Sequence, residues 1–155
     1  VLYTSGIRAA ELMGLKLSDV NYENKTLLVT GKGNKQRVVP LGRTAMKYLE
    51  TYVKAVRPFL VGNQSNNMLF LTVKGTPLKH DTLWLWIRGI ARKAKLNVNV
   101  SCHTFRRSCA TELLRNGANV YHVKELLGHK DVKTTMIYTH VLQRGGLAVK
   151  SPLDG

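Results

Sequence analysis

Apolar residues recur at helical spacing over most of this chain, and two short apolar-centred stretches flank a glycine-rich turn. Ser5 is a good N-cap residue, and a first helix is expected from it through Leu12 to about Leu15. Residues 26–30 and 36–40 read as two strands. Gly31-Lys32-Gly33-Asn34-Lys35 between them carries the residues of a tight hairpin. Ala45, Leu49, Tyr52, Val53 and Val56 share one face of a second helix, expected to end before Pro58. A polar loop over 61–67 follows, and Met68 to Leu71 supplies a third, edge strand. Asp81 is placed as the cap of a helix with Leu83, Ile87, Ile90, Ala91 and Ala94 inward and Arg88, Arg92 and Lys95 outward. Phe105, Cys109 and Leu113 mark the next helix, closed by Gly117. Val120, Val123, Leu126 and Leu127 mark another, closed by Gly128. The sum is a mainly α fold with a small antiparallel β-sheet (α+β).

Composition adds a partner to this picture. The 155 residues make one domain, and 24 Lys and Arg against 9 acidic residues give a net charge of +15. A polyphosphate such as nucleic acid is the direct physical reading, because neutralising phosphates releases counterions. A basic protein without such a partner is the alternative that charge alone leaves open. No apolar stretch reaches membrane-spanning length, and no signal segment opens the chain. Cys102 and Cys109 form neither a CxxC motif nor a disulfide framework, so reduced thiols in a cytoplasmic protein are expected. The chain starts at Val1, apparently in mid-element, and reads as a piece of a longer protein.

Charge narrows the chemistry to particular residues. Cutting a phosphodiester without a metal needs a nucleophile, charge on the non-bridging oxygens, an acid for the leaving oxygen and in-line geometry. Tyr138 suits the nucleophile, since a phenol attacking phosphorus leaves an energy-conserving covalent link. Arg8 and Arg106 suit the phosphate oxygens, which a guanidinium fork matches and an ammonium does not. His103 and His129 suit hydrogen-bond donation or proton shuttling. Lys32, on the hairpin tip, suits the acid for the leaving 5′ oxygen, with Lys35 as its competitor. Arg8 near a helix start is an unusual place for a merely solvated cation but a good one for holding phosphate. Glu11, one turn on, either orients Arg8 or makes an ordinary helix pair. Lys35, Arg37, Arg88, Arg92 and Arg107 are candidate DNA contacts. For Arg88, Arg92 and Lys95 a solvated helix face is an equal alternative. The hairpin glycines lack P-loop spacing, and Cys102, His103, His129 and His140 lack zinc spacing, so neither nucleotide nor metal is expected.

Five motifs in order, Thr-Ser-Gly-Ile-Arg-Ala-Ala-Glu-Leu, Gly-Lys-Gly-Asn-Lys-Gln-Arg-Val-Val-Pro-Leu, His-Thr-Phe-Arg-Arg, Leu-Leu-Gly-His and Tyr-Thr-His, resemble the tyrosine recombinases, the phage-integrase family. The resemblance covers nearly the whole chain. Its tail looks like the integron-integrase branch, but 72–99 leaves no room for that branch's extra helical insertion, so an Xer-type or phage-type reading fits better. It implies a catalytic domain over 1–142 and a tail over 143–155 that docks on a neighbouring subunit. By the same resemblance, the family's N-terminal DNA-clamping domain and the first helices of its catalytic domain are expected to lie outside this chain. It implies Arg8 and Arg106 as the two family arginines, Lys32 as general acid, His103 and His129 as the family histidine positions, and Tyr138 as nucleophile of a 3′-phosphotyrosyl intermediate. No cofactor is implied, neither metal nor ATP. The implied partner is double-stranded DNA at a specific recombination site, bound by a tetramer of subunits that are monomers free in solution, in the bacterial cytoplasm at the nucleoid. Two rival readings stay open: nicking and closing like a type IB topoisomerase, or a truncated, non-catalytic DNA-binding module.

Overall fold

The computed structural model describes residues 1–62, 65–129 and 131–136. The sheet is the scaffold. Strands β1 (Val20–Asn21), β2 (Thr26–Thr30) and β3 (Gln36–Pro40) pair antiparallel in the order β1-β2-β3, with Val29 opposite Arg37 and Leu27 opposite Val39. Leu27, Val29 and Val39 fall on one face by the two-residue period and are completely buried. Ile7, Leu15, Leu41 and Leu69 pack into the same core. The hairpin expected over 26–40 is present, with both strands over the expected residues. The third strand is Val20–Asn21, not Met68 to Leu71, which makes only single bridges to Lys16 and Pro77.

The helices are α1 (Leu2–Ser5), α2 (Ala9–Gly14), α3 (Arg43–Thr51), α4 (Arg57–Val61), α5 (His80–Lys93), α6 (Cys102–Arg115), α7 (Val120–Leu127) and α8 (Val132–Met136). Ser5 is not an N-cap; it ends α1, its buried hydroxyl donating to the Val1 carbonyl at 2.9 Å. Gly6, at φ +60°, closes α1 in the left-handed region, and its amide reaches the Leu2 carbonyl. The glycine's stop signal overrides the serine's start signal. Arg8, extended at φ −77° and ψ 157°, is the residue that opens α2.

Two further helix boundaries differ from the pattern. The helix after β3 does not stop before Pro58. A wide turn over Tyr52–Val56 shifts the hydrogen-bond register, so Pro58 sits in the first turn of α4, where a missing N–H costs nothing. Lys79 opens α5 in place of Asp81, whose fully exposed carboxylate lies in the first turn, where the helix dipole favours it. Only Leu83, Ile87 and Ala91 of α5 are buried; Ile90 is 64% exposed.

A second apolar cluster joins α6 to α7 through Ala110, Leu114, Val123 and Leu127. Helix α1 packs on α6, where the Cys109 thiol approaches the Thr4 carbonyl and burial pushes its pKa up to about 12. That thiol is an inert packing group. No helix among the described residues is long and apolar enough to cross a membrane. Tyr138, His140 and the tail over 143–155 lie outside the described residues.

Candidate active site

The site is built on the C-terminal end of α7. A helix end leaves its last carbonyls without intrahelical donors, and their partial negative charge favours cations. Three arginines from three distant segments meet them. Arg37 donates Nε–H to the Leu126 carbonyl at 2.7 Å. Arg106 donates Nη2–H to the Leu127 carbonyl at 2.7 Å and Nη1–H to the Gly6 carbonyl at 2.7 Å. Arg8 reaches the Gly128 carbonyl at 3.1 Å through Nη2. Arg106 is only 2% exposed, whereas the Arg8 side chain is 44% exposed. One guanidinium therefore lies deep, and the other is half exposed.

Glu11 holds this cluster together electrostatically. Its carboxylate, nearly buried, accepts from the Arg8 amide at 2.8 Å and from Arg8 Nη1 at 3.0 Å. It also takes both Arg37 Nη groups, at 2.8 and 2.9 Å. Burial pushes the Glu11 carboxyl up, but the Arg37 hydrogen bonds, the Arg8 amide and the two guanidinium charges together hold it below its ordinary value. Glu11 thus orients Arg8, the first of the two roles the sequence left open. The carboxylate is shared, however, and its second partner is Arg37.

Arg37, a candidate DNA contact from sequence, is the residue whose placement the charge pattern concealed. It pairs in β3 beside buried Val39, so its side chain enters on the core side of the hairpin and is committed to Glu11 and Leu126. The strand alternation already carried that signal: residues 37 and 39 must share a face. Gly128, left-handed at φ +65°, lets this guanidinium lie against its backbone, since a Cβ there would stand 3.1 Å from Arg37 Nη1.

His129 follows directly. Its Nδ1 lies 2.7 Å from the hydroxyl of completely buried Thr135 on α8. Burial, then the charges of Arg106, Arg8, Arg37 and His103, lower its pKa from 6.5 to about 4. The ring is neutral at pH 7. Nothing in the sequence distinguished Thr135 from Thr134 beside it.

His103 sits in the first turn of α6, one turn before Arg106. Ser101 caps that turn by accepting from the Thr104 amide at 3.3 Å. His103 is exposed and shares with Arg8, Arg106, His80 and Trp84 the wall of a cleft of about 430 Å³. Arg8, His103, Arg106 and His129 are therefore brought together. Lys32 and Lys35 are exposed on the hairpin turn that precedes β3, where Gly33 and Asn34 take positive φ. Arg88 lies on α5 with its guanidinium 4.4 Å over the Trp84 ring, at the cleft's edge. Arg92 and Arg107 are exposed, Arg92 near the end of α5 and Arg107 in a separate groove beside Tyr3.

Gly6 is a tight joint beneath the arginine cluster. A Cβ at this position would stand 2.6 Å from Leu127 Cδ2 and 3.1 Å from the Cys109 sulfur, in a left-handed conformation. Gly6→Ala is expected to destabilise the chain by about 2–4 kcal/mol, the sum of a left-handed penalty and overpacking. Urea titration of the two proteins checks this; equal midpoints would show that the joint has slack.

An arginine pair, two histidines and a basic hairpin on this α+β frame define a class. The chain belongs to the phage integrase family, whose model matches residues 1–144. It is similar to the tyrosine recombinase XerD of Staphylococcus saprophyticus, with 45% identity over 141 residues, covering 91% of this chain and 48% of that protein. XerD of Staphylococcus haemolyticus is 43% identical over the same span, again 91% of this chain and 48% of the relative. Among solved structures, the XerA recombinase superposes with a TM-score of 0.82 at 35% identity, over 90% of this chain and 50% of that one. The XerH recombinase in its post-cleavage complex with a palindromic difH substrate gives 0.78 at 31%, over 92% and 40%. The fold is that of a tyrosine-recombinase catalytic domain, and the chain spans about half the length of the XerD relatives, 48%.

Proposed function

We propose that this chain is the catalytic part of a site-specific recombinase that cuts and rejoins duplex DNA through a 3′-phosphotyrosyl intermediate. The observation that carries the reading is the convergence of Arg8, His103 and Arg106 on one cleft, with His129 close enough to feel their charges, from segments up to about a hundred residues apart in the chain. XerH, a relative by sequence and shape, is captured with its difH substrate before and after cleavage, which supports DNA as the substrate here.

In this reading Arg8 and Arg106 take the non-bridging oxygens of the scissile phosphate, and His103 and His129 donate hydrogen bonds to the charge that develops there. The Tyr138 oxygen attacks phosphorus, its proton passing to solvent or a neighbouring base. The P–O5′ bond breaks, and Lys32 gives its proton to the departing 5′ oxygen. A 5′-hydroxyl of the partner strand then reverses these steps. The phosphotyrosyl bond conserves the energy of the phosphodiester, so neither ATP nor a metal ion is needed. Lys35, Arg88, Arg92 and Arg107 hold the DNA backbone, with Arg37 acting indirectly through Glu11. Subunits are monomers in solution and tetramers on DNA in the bacterial cytoplasm, linked by the tail over 143–155. Deleting 145–155 then lowers cooperative assembly in a gel-shift titration; unchanged cooperativity would remove the tail from the account.

The chemistry of the cut ends tests the reaction. Cleavage in excess chelator should leave a free 5′-hydroxyl and a protein-blocked 3′ end, whereas a free 3′-hydroxyl with a 5′-phosphate would mean a different reaction. Lys32→Ala is expected to slow cleavage by on the order of 10²-fold or more. A 5′-bridging thiolate, which needs no acid, should restore most of that loss. Failure of the rescue would move the role to Lys35.

A further inference from the structure

Thr135 neither grips nor attacks the phosphate in the reaction above, yet it touches a residue that does. It lies on α8, completely buried, three residues before Tyr138 in sequence, with its hydroxyl 2.7 Å from His129 Nδ1. Building on the phosphodiester reading of this site, we infer that Thr135 is a positioning residue that fixes the His129 proton on Nε2, so that the ring presents an N–H donor to the scissile phosphate.

A threonine hydroxyl has one proton to give and is buried here beyond the reach of water. Its hydrogen-bond partner among the described residues is His129 Nδ1. If Nδ1 carried the proton, it would donate into the oxygen and leave the hydroxyl proton without an acceptor in a buried place. Such an unmade bond is costly, and native structures avoid it. The hydroxyl therefore donates and Nδ1 accepts. A neutral imidazole has one proton, which must then reside on Nε2. The ring is neutral because burial, followed by the arginine charges, holds its pKa at about 4.

The consequence for the reaction is directional. The opposite tautomer would turn a lone pair on Nε2 towards an anionic phosphate, which repels it. The arginine-bound end of α7 fixes where His129 starts, through Leu127 and Gly128. Thr135 then acts on the ring's proton and rotation through its hydroxyl. It also ties His129 to the segment that leads to Tyr138, so one hydrogen bond links two parts of the proposed machinery.

Thr135→Val keeps the shape and removes the hydroxyl, while Thr135→Ser keeps the hydroxyl. Nitrogen NMR of the ¹⁵N-histidine-labelled chain, with His129 assigned from a His129→Gln spectrum, separates protonated from unprotonated ring nitrogens. Parent and Thr135→Ser should show His129 protonated on Nε2, and Thr135→Val should show a mixture or the reverse. Single-turnover cleavage should fall on the order of 10–100-fold in Thr135→Val and recover in Thr135→Ser, the size expected when an imidazole loses its orienting partner. A parent protonated on Nδ1, or a Thr135→Val protein with unchanged tautomer and rate, would overturn the inference. If the parent cleaves no DNA at all, the phosphodiester reading fails, while the spectrum still decides the tautomer.

Discussion

Arg106→Ala is expected to lose cleavage activity by at least ~10²–10³-fold, the size seen when a preorganised donor to a developing charge is removed. It should also unfold more easily. The wild-type side chain joins Gly6 to Leu127 through two short hydrogen bonds while only 2% exposed. Truncation leaves both carbonyls without that charged donor, at about 2–4 kcal/mol. Because folding and chemistry both suffer, Arg106→Lys separates them. Lysine keeps the charge but cannot span two carbonyls and a phosphate with one planar fork. A rate within twofold of the parent in either variant, measured by single-turnover cleavage of a nicked duplex, would exclude Arg106 from the phosphate grip.

Glu11→Gln should also weaken the arginine cluster, and its signature is a pH dependence. The Glu11 carboxyl lies below its ordinary value in the folded chain, so its contribution is complete above the usual carboxylate range. It is lost as pH falls from that range through the lowered folded pKa, where the unfolded chain binds the proton first. Glutamine removes the charge between two guanidinium groups, one partly exposed and therefore partly screened. At pH 7 the loss should be about 1–3 kcal/mol, smaller than for a fully buried pair. Below the folded pKa, parent and variant should converge. Denaturant titrations at several pH values decide it: parallel curves across the acid range would show that the carboxylate is not what holds the arginines. His129 acts in the same direction, since folded chains resist its protonation between pH 6.5 and about 4.

The motif residues were easier to place from sequence than the helix ends around them. Arg8, His103, Arg106 and His129 stood in motifs short enough to read directly, and the structure brings those four together. The β2–β3 hairpin was equally plain because two short apolar-centred runs flank a turn rich in glycine and asparagine. Where two local signals compete, the pattern misleads. Ser5 favours a helix start and Gly6 a helix end, and the close contact of Gly6 with Leu127 settles it in the glycine's favour. Pro58 reads as a stop, yet a wide turn places it where a proline is harmless.

Arg37 shows the limit of reading charge by residue type. On a chain of net charge +15, one more arginine looks like another DNA contact. Only the register of β3, with Val39 buried beside it, shows that its charge is spent inside on Glu11. Thr135 is a harder case, because a hydroxyl's partner six residues away depends on how α8 folds back on His129.

The central claim is that Tyr138 forms the covalent bond to DNA. The direct measurement is trapping on a nicked suicide duplex, whose site is recovered by binding selection from randomised sequences, followed by peptide mapping of the adduct. The parent chain should give a protein–DNA species stable on a denaturing gel, mapped to Tyr138 at the 3′ end of the cut strand, and Tyr138→Phe should bind the duplex without forming it. An adduct retained in Tyr138→Phe, or mapped to another residue, would contradict the account.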